Sequence, residues 1–446
     1  MQAAIGANLV VQQPGDHLRA LQSMATFERK GQGPKAERIV PFYATDKERT
    51  AIWLPRGLWP QVHRLTGAQI QDRRLRFQPT NYGWRGTLRP DQEEMRQKVL
   101  AQQGGIAVCP TGWGKTPLGL SILASWGQPT LILVNREQIA LQWVRAIRNF
   151  LQVPSRYVDQ IGEGKEYAGG RIVVGMIQSL HKNPKTVQRL TQRIGAMIVD
   201  EGDGIPAQSV ANIVTQFPGV YRLSLTATPR RTDGLEGLMY ALIGPGYSEV
   251  SYDDAFRLGV IVRPKVHLIA SPLKAEDALE WAELQRARAE DTERNALVCQ
   301  LAAHLYRSGR RILIPLDLKE HGVRVATMLR QFFGVPAYNV DGEDPISYRD
   351  RISREMGQGK CVMIATSLAD RGLDVPTCDA MILAAPGRSE PRVIQQAGRV
   401  VRTAPGKRDA HIYDICDVRT PTLKAQIASR LHAYREHGFE IVRAAR

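Results

Sequence analysis

Cys109-Pro110-Thr111-Gly112-Trp113-Gly114-Lys115-Thr116 is the stretch around which the chain is organised. The apolar run Gly105-Ile106-Ala107-Val108 precedes it and reads as a buried strand, and Leu118-Gly119-Leu120-Ser121-Ile122-Leu123 follows as a helix. Strand, glycine loop and helix with Lys-Thr at the helix start is the pattern of a phosphate-binding loop. Glycines let backbone N–H groups turn inward around an anion, and the helix N-terminus adds partial positive charge there. Thr111, Gly112 and Gly114 are expected to form the cradle. Lys115 is expected to reach the β and γ phosphates, and the Thr116 hydroxyl to take a place on Mg²⁺. Pro117 is tolerated because the first helical turn has spare N–H groups. Trp113 is expected to point outward, at the surface or as a lid. By itself the loop specifies a nucleoside triphosphate and leaves kinase, GTPase and ATPase open.

From Leu88 onward the pattern is parallel α/β. Short apolar strands at Thr130-Leu131-Ile132-Leu133-Val134, Arg171-Ile172-Val173-Val174-Gly175, Ala196-Met197-Ile198-Val199 and Tyr221-Arg222-Leu223-Ser224-Leu225 alternate with helical segments. Such strands imply a parallel sheet covered on both faces. A charged helical stretch, about Ala275 to Arg294, reads as a connector. The pattern then resumes at Arg311-Ile312-Leu313-Ile314, Cys361-Val362-Met363-Ile364-Ala365 and Ala380-Met381-Ile382-Leu383-Ala384. Two α/β lobes in tandem are expected, and only the first has a phosphate-binding loop.

Upstream, residues 1 to about 35 read as partly irregular. A hairpin is expected from Arg38-Ile39-Val40-Pro41-Phe42-Tyr43 with Thr50-Ala51-Ile52-Trp53-Leu54, then a short helix from about Trp59 to Leu65. Arg73-Arg74-Leu75-Arg76-Phe77 alternates basic and apolar residues as an exposed strand would. The boundaries expected are residues 1–80 for a small basic α+β accessory domain that binds DNA, 81–265 for lobe 1 and 266–446 for lobe 2.

Composition narrows the partners. The 446 residues suit two or three domains, and 43% hydrophobic content supports real cores. No apolar run is long enough to cross a membrane. Met1-Gln2-Ala3-Ala4 lacks the basic start of a signal peptide. Five cysteines lie far apart with no C-x-x-C pair, which argues against disulfides and zinc and for a reducing cytoplasm. Net charge is +16, and the first 90 residues hold 14 Lys/Arg against 6 Asp/Glu, half the excess in a fifth of the chain. A polyanion, nucleic acid foremost, is the expected partner.

About 85 residues past the loop, an apolar strand ends in Val199-Asp200-Glu201-Gly202-Asp203. Ligand groups in open α/β sheets cluster at the carboxyl ends of strands. Asp200 is therefore expected on Mg²⁺ beside Thr116, with Glu201 orienting and deprotonating the attacking water.

Four motifs now stand in order: the phosphate loop, Asp200-Glu201-Gly202-Asp203, Leu225-Thr226-Ala227-Thr228-Pro229, and Gln395-Gln396-Ala397-Gly398-Arg399-Val400-Val401-Arg402. The set resembles superfamily 2 helicases and translocases, which are built on two tandem RecA-like lobes. Thr226-Ala227-Thr228-Pro229-Arg230-Arg231-Thr232-Asp233-Gly234 and Ala365-Thr366-Ser367-Leu368-Ala369-Asp370-Arg371-Gly372-Leu373-Asp374-Val375-Pro376 resemble the XPB-like branch. Compact size and a basic N-terminal region are similar to phage branch-migration helicases of the UvsW type. The resemblance covers roughly residues 88 to 417.

What it implies is specific. Arg89 and Gln92, in Leu88-Arg89-Pro90-Asp91-Gln92, stand where the family reads adenine. Thr226, Thr228 and Gln395 would couple nucleotide state to movement. Asp374 would touch the ribose or the lobe interface, and Thr366 a nucleic-acid phosphate. Arg399 and Arg402 would be arginine fingers, planar cations that neutralise charge developing in the transition state. Backbone tracking would involve Asn135-Arg136 and Gln178-Ser179, and the accessory region would add Arg73, Arg74 and Arg76. The family usually shows Pro-Thr where Asn135-Arg136 stands, and nearest relatives carry His where Asp203 stands. The implied activity is ATP-dependent movement on duplex DNA that remodels forks or branched junctions, with ATP and Mg²⁺ as cofactors. An RNA helicase, a restriction-complex motor and a nucleotide-gated binding module that does not hydrolyse remain as alternatives.

Overall fold

Short apolar runs at the start of the chain make strands in which every second residue faces inward. β1 (Gln2–Ile5) buries Ala3 and Ile5, and β2 (Leu9–Gln12) buries Leu9 and Val11. A helix at Leu18–Met24 follows, then β3 (Thr26–Glu28), β4 (Ile39–Pro41), β5 (Ala44–Thr45), β6 (Ala51–Leu54), a helix at Trp59–Thr66 and β7 (Ile70–Asp72). The computed structural model describes residues 1–30, 39–229, 231, 233–275, 279–366, 375–387 and 390–442.

Three expectations for this region need correction. Its first 30 residues hold more regular structure than expected, because every second residue of β1 and β2 finds an apolar layer to face. β4 pairs with β3, and the hairpin is made by β5 and β6 instead. Arg73-Phe77 is not a strand. The Asp72 carboxylate accepts the Arg74 backbone N–H at 3.0 Å, which turns the chain away after β7, and Leu75 keeps only a single bridge to Gly219.

The sheet β5-β6-β2-β1-β7 is antiparallel except for the parallel β1–β7 pair. It packs into the same unit as the first lobe. Ala241 joins its hydrophobic core. Arg56 donates to the carbonyls of Gly219 (2.6 Å) and Val220 (3.2 Å), and Arg222 donates to those of Ala7, Phe217 and Leu242, both guanidiniums being buried.

Lobe 1 contains β8 (Gly104–Val108), β9 (Thr130–Val134), β10 (Val158–Ile161), β11 (Ile172–Met176), β12 (Ala196–Asp200), β13 (Tyr221–Thr226) and β14 (Tyr247–Glu249). They form one parallel sheet in the order β10-β11-β9-β12-β13-β8-β14. β8, β9 and β11 are almost wholly apolar and buried on both faces, as a covered parallel sheet requires, while β13 buries the polar Arg222, Ser224 and Thr226 among its apolar residues.

Lobe 2 contains β15 (Pro264–Ala270), β16 (Ile312–Leu316), β17 (Ala337–Val340), β18 (Val362–Thr366), β19 (Ala380–Leu383), β20 (Ala410–Cys416) and β21 (Glu440–Val442). Their order is β17-β18-β16-β19-β20-β15-β21, again all parallel. Numbered within each lobe, both sheets read 3-4-2-5-6-1-7. The α/β reading with two tandem parallel-sheet lobes and a small N-terminal α+β region holds.

Contacts divide the chain into two units, Met1–Cys109 with Gly114–Val250 and Pro110–Trp113 with Ser251–Arg446. The charged stretch at 275–294 is no free connector. Its described part lies in the helices Trp281–Glu290 and Thr292–Arg307, which belong to the second unit. They bury Arg288 and Arg294 against Asp417, at 2.9 and 2.7 Å.

Candidate active site

β8, β13 and β12 are neighbours, with Thr226 in register with Val108 and Leu225 with Asp200. The loops that follow these strands therefore open on one edge of the sheet. β8 runs into the helix Lys115–Trp126, with Gly112 and Gly114 at φ 87° and 104°, backbone that a side chain rarely adopts. A Cβ at Gly114 would also stand 2.5 Å from Gln92 Nε2 and displace that amide. Gln92 is buried beneath the loop and donates to the Gly114 carbonyl at 3.4 Å. It also closes the capping box of the helix Pro90–Ala101 by accepting from the Arg89 N–H at 3.1 Å. Arg89 pairs with Asp91 at 3.0 Å. Lys115 donates to the Cys109 carbonyl at 3.0 Å, across the base of the loop. Thr116 is the second residue of the helix. Trp113 is fully buried, which corrects the outward placement.

The paired acids stand at the end of β12. Asp200 accepts the Trp143 indole N–H at 2.8 Å. Burial first, then the Glu201 carboxylate, push its carboxyl up to about 6, while the Trp143 hydrogen bond and the Lys115 charge pull the other way. Glu201 accepts the Asn135 amide N–H at 2.7 Å and holds a left-handed backbone, φ 54°. Gly202 follows because a Cβ there would meet Ser224 Oγ on β13 at 1.7 Å. Asp203 is buried and accepts from Thr226 Oγ1 at 3.5 Å, and its carbonyl accepts Arg231. Thr226 Oγ1 also accepts the Thr228 N–H at 3.2 Å, so the Thr-Ala-Thr turn closes on itself.

Other expected residues lie elsewhere. Arg136 is the N-cap residue of the helix Glu137–Phe150, while Gln178, exposed, and Ser179, half-buried, stand on the helix Ile177–Lys182 after β11. Arg73 donates to Gln71, Arg74 pairs with Asp72 at 2.7 Å, and Arg76 lies over the Tyr221 ring. Leu75 bridges Gly219 just before β13, so these arginines flank the amino ends of the sheet, opposite the strand-end loops. Gln395, Arg399 and Arg402 belong to the second unit, with Gln395 half-buried on the helix Glu390–Ala397 and Arg399 buried. Thr366 ends β18, buried, with its hydroxyl unpartnered among the described residues. Asp374 lies outside the described residues.

Sequence reasoning missed Trp143 altogether and did not foresee the bond from Asn135 to Glu201. The missed signal was topological. β9 borders β12, so a residue just after β9, or on the inner face of its helix, reaches the acids. All five cysteines are buried and free, and burial pushes the Cys109 thiol up to about 12. Among the described residues no cluster of three or more metal-ligating side chains occurs, and no helix is long and apolar enough to cross a membrane.

The family described as "Type III restriction enzyme, res subunit" matches residues 85–231, and "Helicase conserved C-terminal domain" matches residues 293–404. A Halobacterium salinarum protein named for a Rad25 DNA 3'-5' helicase is 28% identical over 328 residues, 71% of this chain and 52% of that one. "Probable helicase D10" of Escherichia phage T5 is 26% identical over 336 residues, 74% and 71% of the two chains. "DNA 3'-5' translocase XPB2" of Sulfurisphaera tokodaii is 24% identical over 360 residues, 71% and 78%. The chain thus spans about half the length of the Halobacterium relative. In fold it is similar to the fragment structure of an HsdR subunit of a type I restriction enzyme from Vibrio vulnificus YJ016, at TM-score 0.61 and 15% identity over 97% of this chain and 92% of that one. The chain thus carries a restriction-enzyme res-subunit domain and a helicase C-terminal domain, in that order, on two sheets of one topology.

Proposed function

We propose that the chain hydrolyses ATP to move on duplex DNA and to remodel forks or branched junctions. The observation that carries this is the strand-end edge of lobe 1, where Asp200 and Glu201 stand one strand away from the loop that holds Lys115. The residues fit a nucleoside triphosphate. Left-handed glycine backbone at Gly112 and Gly114 leaves the loop amides to the phosphates, with Lys115 at its base. Thr111, Gly112, Gly114, Lys115 and Thr116 hold the phosphates, with Arg89 and Gln92 beside the base. Thr116 and Asp200 would hold Mg²⁺, which supplies charge neutralisation on the phosphate oxygens.

Glu201 orients the attacking water and takes its proton as the bond to the γ phosphorus forms and ADP leaves. Lys115, Arg399 and Arg402 stabilise the charge that develops. Thr226, Thr228, Gln395 and Asp374 link nucleotide state to movement. Arg136, Gln178, Ser179 and Thr366 track phosphates without reading bases, and Arg73, Arg74 and Arg76 hold a further stretch of DNA. Names of the relatives, DNA helicases and a DNA translocase, support DNA over RNA.

The test is the ATP hydrolysis rate of the full chain with duplex DNA, single-stranded DNA, a branched junction and RNA side by side. Stimulation by duplex and junction above RNA is the expected result. Preferential stimulation by RNA would make the chain an RNA helicase instead. Nucleotide binding without hydrolysis would leave a gated binding module.

A further inference from the structure

The loop after β9 stands between the two halves of the strand-end edge. β9 has β11 on one side and β12 on the other, with Val134 in register with Met176 and Leu133 with Val199. Asn135 and Arg136 therefore have the helix carrying Gln178 and Ser179 on one flank and Asp200-Glu201 on the other. Asn135 Nδ2 donates to Glu201 Oε2 at 2.7 Å. An ionised carboxylate can only accept, so the amide nitrogen is the half that faces it. The other half is unsatisfied, for Asn135 Oδ1 is buried with no partner among the described residues. Glu201 itself sits in left-handed backbone, φ 54°, uncommon for a non-glycine residue and a store of strain beside a reacting group. A carboxylate that receives such a bond is pinned, whereas a general base must turn to meet its water.

We propose that Asn135 is a positioning residue that restrains Glu201 until a nucleic-acid phosphate engages the Asn135-Arg136 loop, which makes hydrolysis depend on nucleic acid. The inference rests on the reading of Glu201 as the water-activating base. A phosphate at this loop gives the Asn135 amide a competing anionic acceptor. Arg136 and the N-terminus of the helix Glu137–Phe150 bring positive charge to the same place. As the amide turns toward the phosphate, its hold on Glu201 loosens and the carboxylate can turn to the water. The coupling is reciprocal: whatever factor nucleic acid gains in releasing Glu201, Glu201 costs in binding nucleic acid.

The experiment uses the full chain. Asn135→Ala should raise the DNA-free ATPase rate about tenfold, within the range usual for coupled sites. The rate at saturating duplex DNA should change less than about twofold, so the stimulation ratio collapses. Asn135→Asp, which cannot donate and repels Glu201, should do the same and covers the case in which the alanine variant fails to fold. With no nucleotide present, Glu201→Ala should bind a fluorescent duplex about fivefold tighter by anisotropy, because Asn135 is released. A fall in both rates, an unchanged stimulation ratio, or wild-type duplex affinity in Glu201→Ala overturns the switch alone. Near-normal hydrolysis by Glu201→Gln overturns the reading of Glu201, and the switch with it.

Discussion

Two sheets of identical strand order treat the acids at their strand ends in opposite ways. In lobe 1, Asp200 and Glu201 follow the fifth strand and accept a tryptophan indole and an asparagine amide. In lobe 2, Asp417 follows the sixth strand and is clamped by the buried guanidiniums of Arg288 and Arg294, with Ser271 donating to it at 2.6 Å. Asp414, inside that strand, takes Arg430 at 2.8 Å and the Tyr434 hydroxyl at 3.0 Å. A carboxylate saturated by guanidinium is structural. Asp200, which accepts from the Trp143 indole and the Glu201 N–H where burial already opposes its charge, is suited to serve a cation. The topology is shared; the chemistry is set by which donors the flanking helices bring.

If lobe 2 contributes cations and lobe 1 carboxylates, the largest rate effect of a lobe 2 change comes from its arginines. Arg399→Ala or Arg402→Ala should lower the DNA-stimulated turnover by about 10³-fold. Nucleotide affinity, read from a fluorescent analogue, should move little, since these cations act on charge that develops during reaction. Equal losses in binding and turnover would make them part of the fold and erase the division.

Next in size is stability. Asp417→Ala leaves two buried guanidiniums unpaired and should cost about 3–5 kcal/mol in denaturant unfolding. Asp200→Asn should cost nothing or stabilise, since it removes a half-buried charge that desolvation disfavours. Burial opposes the Asp417 charge, yet Arg294 and Arg288 hold its carboxyl below the usual carboxylate range. Its contribution is therefore fully present above the unfolded value, about pH 4, and is lost as pH falls through the lower folded value. Equal cost for the two substitutions would break the contrast.

The smallest effect belongs to the opposite edge of lobe 1. The N-terminal sheet shares a core with lobe 1, so point changes test it better than deletion. Arg73→Ala, Arg74→Ala and Arg76→Ala should each flatten the slope of log duplex affinity against log salt by up to about 0.9. Losing the exposed Arg74–Asp72 pair should cost under about 1 kcal/mol of stability. An unchanged slope in the triple variant would confine DNA contact to other surfaces.

How much of this was legible in the sequence follows from how local each signal is. Covered parallel strands announce themselves as apolar runs, and the glycine loop and Asp200-Glu201 are contiguous, so both lobes and the core of the site could be read. The N-terminal strands are two to four residues long, and their pairing depends on a partner strand that no local pattern displays, so β3–β4 was missed. Arg288 and Arg294 read as a solvated connector because their partner, Asp417, lies more than 120 residues away. Trp143 and Asn135 reach the acids only through the strand order, which no local pattern displays.

The direct measurement is steady-state ATP hydrolysis by Glu201→Gln at saturating duplex DNA and Mg²⁺, with nucleotide binding followed in parallel. Loss of a positioned base should lower the rate by about 10²–10⁴-fold while nucleotide affinity stays within about twofold of wild type. Hydrolysis by Glu201→Gln at the wild-type rate would contradict the assignment of the chemistry to the strand-end acids of lobe 1.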